Sequence, residues 1–199
     1  MGYSTIFNGE LKLSRPATET EMNYINKFSG TRRVKRDVNK LMQMFNGEYG
    51  HPTPINNTPE GIYGNDGAYF IGGKGFAGQD HDESVIGGST PPGQLTYKEL
   101  DELGKSWSHN NKLSEEGLCQ PGLWCQWILR DEETLAWDEG EKFYEYINWL
   151  KYLINHFFAK WGIELNGEIY WDGEDCEDKG LIVVENNNVI VKYAKIIYE

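Results

Sequence analysis

The chain has 199 residues, 39% hydrophobic and 14% aromatic, with 7 Trp and 12 Tyr. It is long enough to bury one core and too rich in large apolar side chains for the whole chain to be disordered. The formal charge of −12 disfavours nucleic acid or an anionic membrane as a general partner, because phosphate surfaces reward clustered Lys and Arg. That charge is segregated, +4 over residues 1–40 and −16 over the remainder.

Alternation from Tyr3 through Phe7 to Leu11 and Leu13 predicts a strand, closed by Pro16. Thr18 with Glu21 forms a capping box, so a helix should open there, bury Met22, Ile25 and Phe28, and end at Gly30. Val34, Val38, Leu41, Met42 and Phe45 then recur at helical spacing and predict a second helix. Residues 46–122 hold 15 of the 23 Gly and six of the 7 Pro and read as a long irregular insertion folded onto the domain. Within it, Ala68–Ile71 suits a short strand. Thr96 with Glu99, the Leu95/Leu100 staple and Gly104 outline a short helix.

Leu123–Leu129 reads as a buried strand, followed by a shorter one at Leu135–Trp137. Asp138 and Glu141 form a further capping box, opening a core helix striped by Phe143, Tyr146, Ile147, Leu150, Ile154 and Phe157 and ending near Gly162. Three strands complete the chain, near Ile163–Trp171, Leu181–Val184 and Val189–Ile197, with Asn186–Asn188 in the last turn. This order predicts a single α+β domain over 1–199, a mainly antiparallel sheet with helices packed on one face.

Cys119, Cys125 and Cys176 form an odd set without disulfide-framework spacing, and no leader or membrane-spanning stretch is legible; both suit the cytoplasm. The densest basic segment is Thr31–Arg36. Arg32, Arg33 and Arg36 could fork around phosphate or carboxylate oxygens, or simply neutralise the protein's own acids. Gly72–Gly78, which includes Gly75, resembles a phosphate loop but lacks the Walker pattern. Gln79, Asp80 and Asp82 supply hard ligands without an EF-hand or zinc spacing, so no metal and no cofactor is expected. Gly173–Asp178 reads as an exposed acidic hairpin turn. No catalytic triad can be assembled from the four His and three Cys. Trp124 and Trp127 should face differently, one entering the core and the other meeting the insertion or solvent as a docking surface.

Several segments carry a resemblance: Thr31–Arg36, Gly75–Gln79, Gln120–Trp127, Gly140–Tyr144, and Asn166–Glu168 with Trp171 and Gly173–Asp175. Together they resemble a family of small proteins of tailed bacteriophages and some bacterial genomes, over most of the chain, with Leu95–Leu118 as an apparent insertion. The resemblance implies a phage-associated origin and brings no activity with it. The reading that follows is an accessory protein of the host cytoplasm, without catalysis of its own, that binds a host protein such as a component of antiviral defence. A different class of reading is a small-ligand or nucleotide-binding protein, an enzyme included, with its pocket between the glycine loop and the arginines taking an anionic ligand. The sequence leaves the oligomeric state open.

Overall fold

The computed structural model describes residues 2–35, 37, 40, 70–71, 75–76 and 85–195, with backbone alone at 70–71 and 75–76. Strand β1 (Thr5–Leu13) alternates as its sequence dictates, Phe7, Leu11 and Leu13 turning inward while Ile6, Asn8 and Lys12 face out. Helix α1 (Glu19–Ser29) opens on the full Thr18/Glu21 capping box, and Gly30 closes it. Short strands β2 (Phe70–Ile71) and β3 (Gly75–Phe76) pair with each other in a separate two-stranded sheet.

Helices α2 (Tyr97–Glu102) and α3 (Ser108–Glu115) follow, the first on its own capping box of Thr96 and Glu99. Next come β4 (Trp127–Asp131), β5 (Thr134–Trp137) and α4 (Tyr146–Leu153), which continues as a π-helical turn, Ile154–Phe158. Strands β6 (Leu165–Gly173), β7 (Lys179–Glu185) and β8 (Asn188–Tyr193) complete the chain. Asn186 and Asn187, both at positive φ, make the two-residue turn between the last two.

Six strands form one antiparallel sheet in the order β4-β5-β1-β6-β7-β8, with α1 and α4 on its inner face, which is the expected α+β class. The interface between them is aromatic. Phe7 meets Trp127, Trp137, Phe143 and Tyr146 at ring distances of 5.5, 5.3, 5.8 and 4.8 Å, while Phe28 meets Trp149 and Phe157 at 5.9 and 5.2 Å. Edge-to-face packing of this kind contributes about 0.5–1.5 kcal/mol per pair beyond area burial. The π-helical turn carries Phe157 and Phe158 side by side into that layer, both fully buried.

The two sheet edges are treated differently. At β4 the side chain of Asn26 imitates a neighbouring strand: its Nδ2 donates to Leu129 O and its Oδ1 accepts from Leu129 N, both at 2.9 Å. Ser29 Oγ donates to Trp127 O beside it, so α1 closes this edge. At β8 nothing equivalent exists among the described residues.

Three expectations are corrected. Arg33–Lys35 are not helical. The amide of Arg33 donates to Leu123 O, that of Lys35 to Thr90 O, and Lys35 O accepts from Ile86 N, so these peptide groups bond other segments rather than a helical turn. Further along the expected helix Lys40 is helical, its amide donating to Asp37 Oδ1 at 3.2 Å, whereas Val38 and 41–45 lie outside the described residues. The strand expected from Leu123 starts only at Trp127; ahead of it Leu123 O is engaged by the Arg33 amide. The Asp138/Glu141 capping box is not made. Asp138 Oδ1 accepts instead from Gly140 N, and Glu139, Lys142 and Glu145 all take left-handed conformations before α4 begins at Tyr146. That winding delivers Phe143 into the ring cluster around Phe7. Within the insertion the short helix read at Thr96 forms as α2 and α3 is an additional one, while most of 46–84 lies outside the described residues.

Candidate interaction site

The basic segment is drawn into the fold. Arg33 is fully buried, its guanidinium 4.2 Å above the Phe28 ring and its Nε donating to Gln120 Oε1 at 3.0 Å. Lys35 pairs with Glu99 at 3.1 Å and so ties the insertion to the N-terminal region. Arg32 is half-buried, and Arg36 lies outside the described residues. Gly75 is placed by its backbone alone, opposite Ile71, and Gln79, Asp80 and Asp82 fall outside the described residues. Of the described members of this set, Arg33 is committed to packing rather than turned outward. Trp127 enters the core, its Nε1 donating to Tyr146 O at 2.8 Å, whereas Trp124 is 43% exposed. The facing of the two tryptophans differs as expected, although Trp124 precedes the strand.

Cys125 is buried among apolar side chains, and that burial pushes its thiol up to about 12. Among the described residues no three His, Cys, Asp or Glu side chains converge to hold a metal ion. Gly173–Asp178 is the β6–β7 hairpin turn, in which Asp178 accepts from Tyr3 Oη at 2.7 Å and Trp171 Nε1 at 2.9 Å.

The most distinctive surface lies beside β8. Glu185 opposes Asn188 across the two-residue turn, so the hydrogen-bonded pairs of this hairpin are Glu185/Asn188, Val183/Ile190 and Leu181/Lys192. The peptide groups of Val189, Val191 and Tyr193 consequently point away from β7, along an edge with no Pro and no bulge. Next to it runs a trough of two adjoining cavities, about 530 and 310 Å³. Helix α4 and its π-helical extension floor it with Ile147, Lys151, Ile154 and Asn155; Val189, Val191 and Tyr193 form one wall, and Glu115, Glu116 and Glu145 the other. Among the described residues the helical layer thus extends past the last strand, and a further strand about 4.8 Å from β8 would continue the sheet there.

The walls are fixed by hydrogen bonds. Lys151 Nζ donates to Glu115 O at 2.9 Å, and Asn155 Nδ2 donates to Glu116 O and Gly117 O, both at 3.2 Å. This ties the last carbonyls of α3 onto α4 and engages Lys151, the one lysine among the lining residues, which also include Glu115, Glu116 and Glu145. A different groove, about 460 Å³ on the outer sheet face near Tyr170 and Leu181, includes the mutually neutralising pair Lys179–Asp172 at 2.8 Å and offers less charge selectivity.

Sequence reasoning passed over this site. β8 was legible as a strand, but its edge position depends on the order of the whole sheet. Helix α3 has too few apolar residues to show a helical period, although Trp107, Asn111, Ser114 and Glu115 do fall on one helical stripe.

His156, in the π-helical turn behind the trough, stacks on Tyr152 at 4.0 Å. Burial, with Lys160 adding to it, pushes its pKa from 6.5 down to about 4. The unfolded chain then binds the proton more readily than the folded one, so stability should fall as pH drops from 6.5 towards 4. The check is the melting temperature across that window for the wild type and His156→Gln. A shallower decline in the variant is expected, and parallel curves would exclude His156 as the cause.

Among the described residues no helix is long and apolar enough to cross a membrane. Comparison with family models, curated proteins and solved structures gives no match for this chain.

Proposed function

We propose that this chain is a binding protein of phage or prophage origin, without catalysis of its own, that captures an extended, Lys- or Arg-bearing segment of a host protein in the host cytoplasm. The observation that carries the reading is the open β8 edge above an acidic trough, on a molecule whose opposite edge is sealed by Asn26 and Ser29. Free peptide groups along an edge supply affinity to an added strand, whereas side-chain pockets beside it supply choice. Glu115, Glu116 and Glu145 set that choice towards positive charge. The host assignment, and within it a defence component that the chain inhibits or that senses it, rests on the resemblance of its segments to phage proteins.

Selection of random peptides on the immobilised protein tests the mode of binding. Enriched peptides should alternate apolar residues with Lys or Arg. Val191→Pro removes an edge N–H that makes no bond to β7, and should weaken such peptides about tenfold, roughly the worth of one hydrogen bond. Glu116→Lys leaves the strand untouched and should weaken them through charge alone. A library without enrichment, or enriched peptides indifferent to both changes in folded protein, would remove the reading. So would a self-association through β8 that leaves no peptide binding. Capture from bacterial lysate by wild type and Val191→Pro side by side then reports whether a host protein uses the same edge.

A further inference from the structure

We infer that the segment held on β8 is zwitterionic: it runs antiparallel to the strand and places a carboxylate opposite Lys192 on the outer face of the sheet, next in sequence to basic residues that enter the trough. The inference rests on the reading above and names a second chemical group by which the segment is chosen. It concerns the face of the captured strand that the trough does not touch.

The sheet register fixes where each β8 side chain points. Asn8, Tyr170, Leu181 and Lys192 lie in one cross-strand row, and all four line the groove of the outer face. Val191 and Tyr193, on either side of Lys192, line the trough on the inner face. An added strand alternates in the same way, so each of its residues meets either the trough or the exposed side chains of Ile190 and Lys192.

Lys192 stands apart from the other strand lysines of this face. Lys12 pairs with Glu10 at 2.9 Å, and Lys179 with Asp172, its cross-strand neighbour, at 2.8 Å. Among the described residues Lys192 has no ion pair, although the chain carries a formal charge of −12. Its nearest neighbours on the face are Leu181 across β7 and Ile190 two residues back, neither of them charged. The remaining lateral position is the one on the open side of β8.

That position is also a close one. Lys192 turns its own peptide groups towards β7, so a residue facing it from an antiparallel strand forms a non-hydrogen-bonded pair, with Cβ atoms about 4.5–5.5 Å apart. Opposite charges in such a pair attract and like charges repel. Every strand pair in the sheet is antiparallel, and antiparallel pairing is the more stable per residue, so the added strand takes that direction. Read from its N-terminus, it offers a basic residue to the trough beside Tyr193, a carboxylate to Lys192, and a second basic residue beside Val191. A lysine on an edge strand is also a common guard against unwanted pairing. A guard weakens every added strand, whereas a selector favours the one that brings a carboxylate.

The probe is acetyl-Val-Lys-Glu-Lys-Val-Lys-Val-amide, titrated against the full chain by calorimetry. Replacing its Glu by Gln should weaken binding about threefold, and replacing it by Lys about tenfold. The Lys peptide is the sharpest comparison, because it gains general attraction to a chain of charge −12 while opposing Lys192. The peptide of reversed sequence, which matches β8 only in the parallel direction, should bind about threefold more weakly than the probe. Lys192→Glu should invert the order of the Glu and Lys peptides, and Lys192→Ala should weaken the first and strengthen the second. The inference is overturned by any of four results: no binding of the Glu peptide, tighter binding of the Lys peptide to wild type, equal binding of the reversed peptide, or a Lys192→Ala protein that binds all of them more tightly, as removal of a guard would.

The two proposals fail separately. Selected peptides that bind in a Val191-dependent manner but are indifferent to Lys192→Glu would leave strand addition standing without the acidic position. A Glu peptide that binds Val191→Pro as tightly as wild type would lie elsewhere on the molecule, and would remove the strand reading together with the pattern built on it.

Discussion

Arg33→Ala should lower the melting temperature by about 10 °C, whereas Arg32→Ala a single residue away should lower it by no more than about 2 °C. Arg33 is wholly buried, sits 4.2 Å above the Phe28 ring and donates to Gln120 at 3.0 Å. A desolvated cation–π contact contributes about 2 kcal/mol and a hydrogen bond from a charged group about 1.5–3. Truncation removes both and leaves a void beside Phe28, a loss of about 3–5 kcal/mol in all. Each kcal/mol shifts the melting point of a chain this size by about 2–4 °C. Arg33→Lys keeps the charge but not the planar fork, so it should recover only part of the loss. Thermal denaturation of the three variants decides the matter. Similar melting points for Arg32→Ala and Arg33→Ala would mean that the buried guanidinium contributes little to stability.

Gly9→Ala should be comparably damaging for a backbone reason. Gly9 lies in β1 at φ +118, and a Cβ there would fall on the backbone carbonyl oxygen of Glu168 in β6, which cannot swing aside as a flexible side chain could. The forbidden φ alone costs about 1–3 kcal/mol, and separating the two central strands adds to that. The proper control is Gly88→Ala, at φ +66 with nothing within 4 Å of the added carbon, where only about 1 kcal/mol is expected. Urea unfolding of both variants measures the difference. Equal destabilisation would show that β1 and β6 yield at this point, contrary to the close packing between them.

Local chemistry was legible in the sequence wherever it acts through near neighbours. The Thr18/Glu21 and Thr96/Glu99 boxes form as read, because cap and partner lie three residues apart and need nothing else. The same spacing at Asp138/Glu141 fails, because the chain must turn there three times through left-handed residues to seat Phe143. Arg33 misled for a related reason: it belongs to a run of charges that looks solvated, and its burial depends on Phe28, Gln120 and Leu123 meeting it from elsewhere. The trough was invisible because its walls come from segments tens of residues apart and its defining property, an unoccupied sheet edge, belongs to no single residue.

The Asn26 amide that imitates a strand against Leu129 also sets an upper limit on assembly. A molecule with two open edges can relay pairing from copy to copy and grow without end. With one edge already satisfied by its own helix, the six-stranded sheet offers only β8 for a strand-to-strand junction among the described residues. A segment captured on β8 as proposed would end the sheet, giving one such partner per chain. Even an accidental pairing of two β8 edges would present only sealed β4 edges at the extremities of the joined sheet, so pairing through this sheet would give a closed dimer rather than a filament.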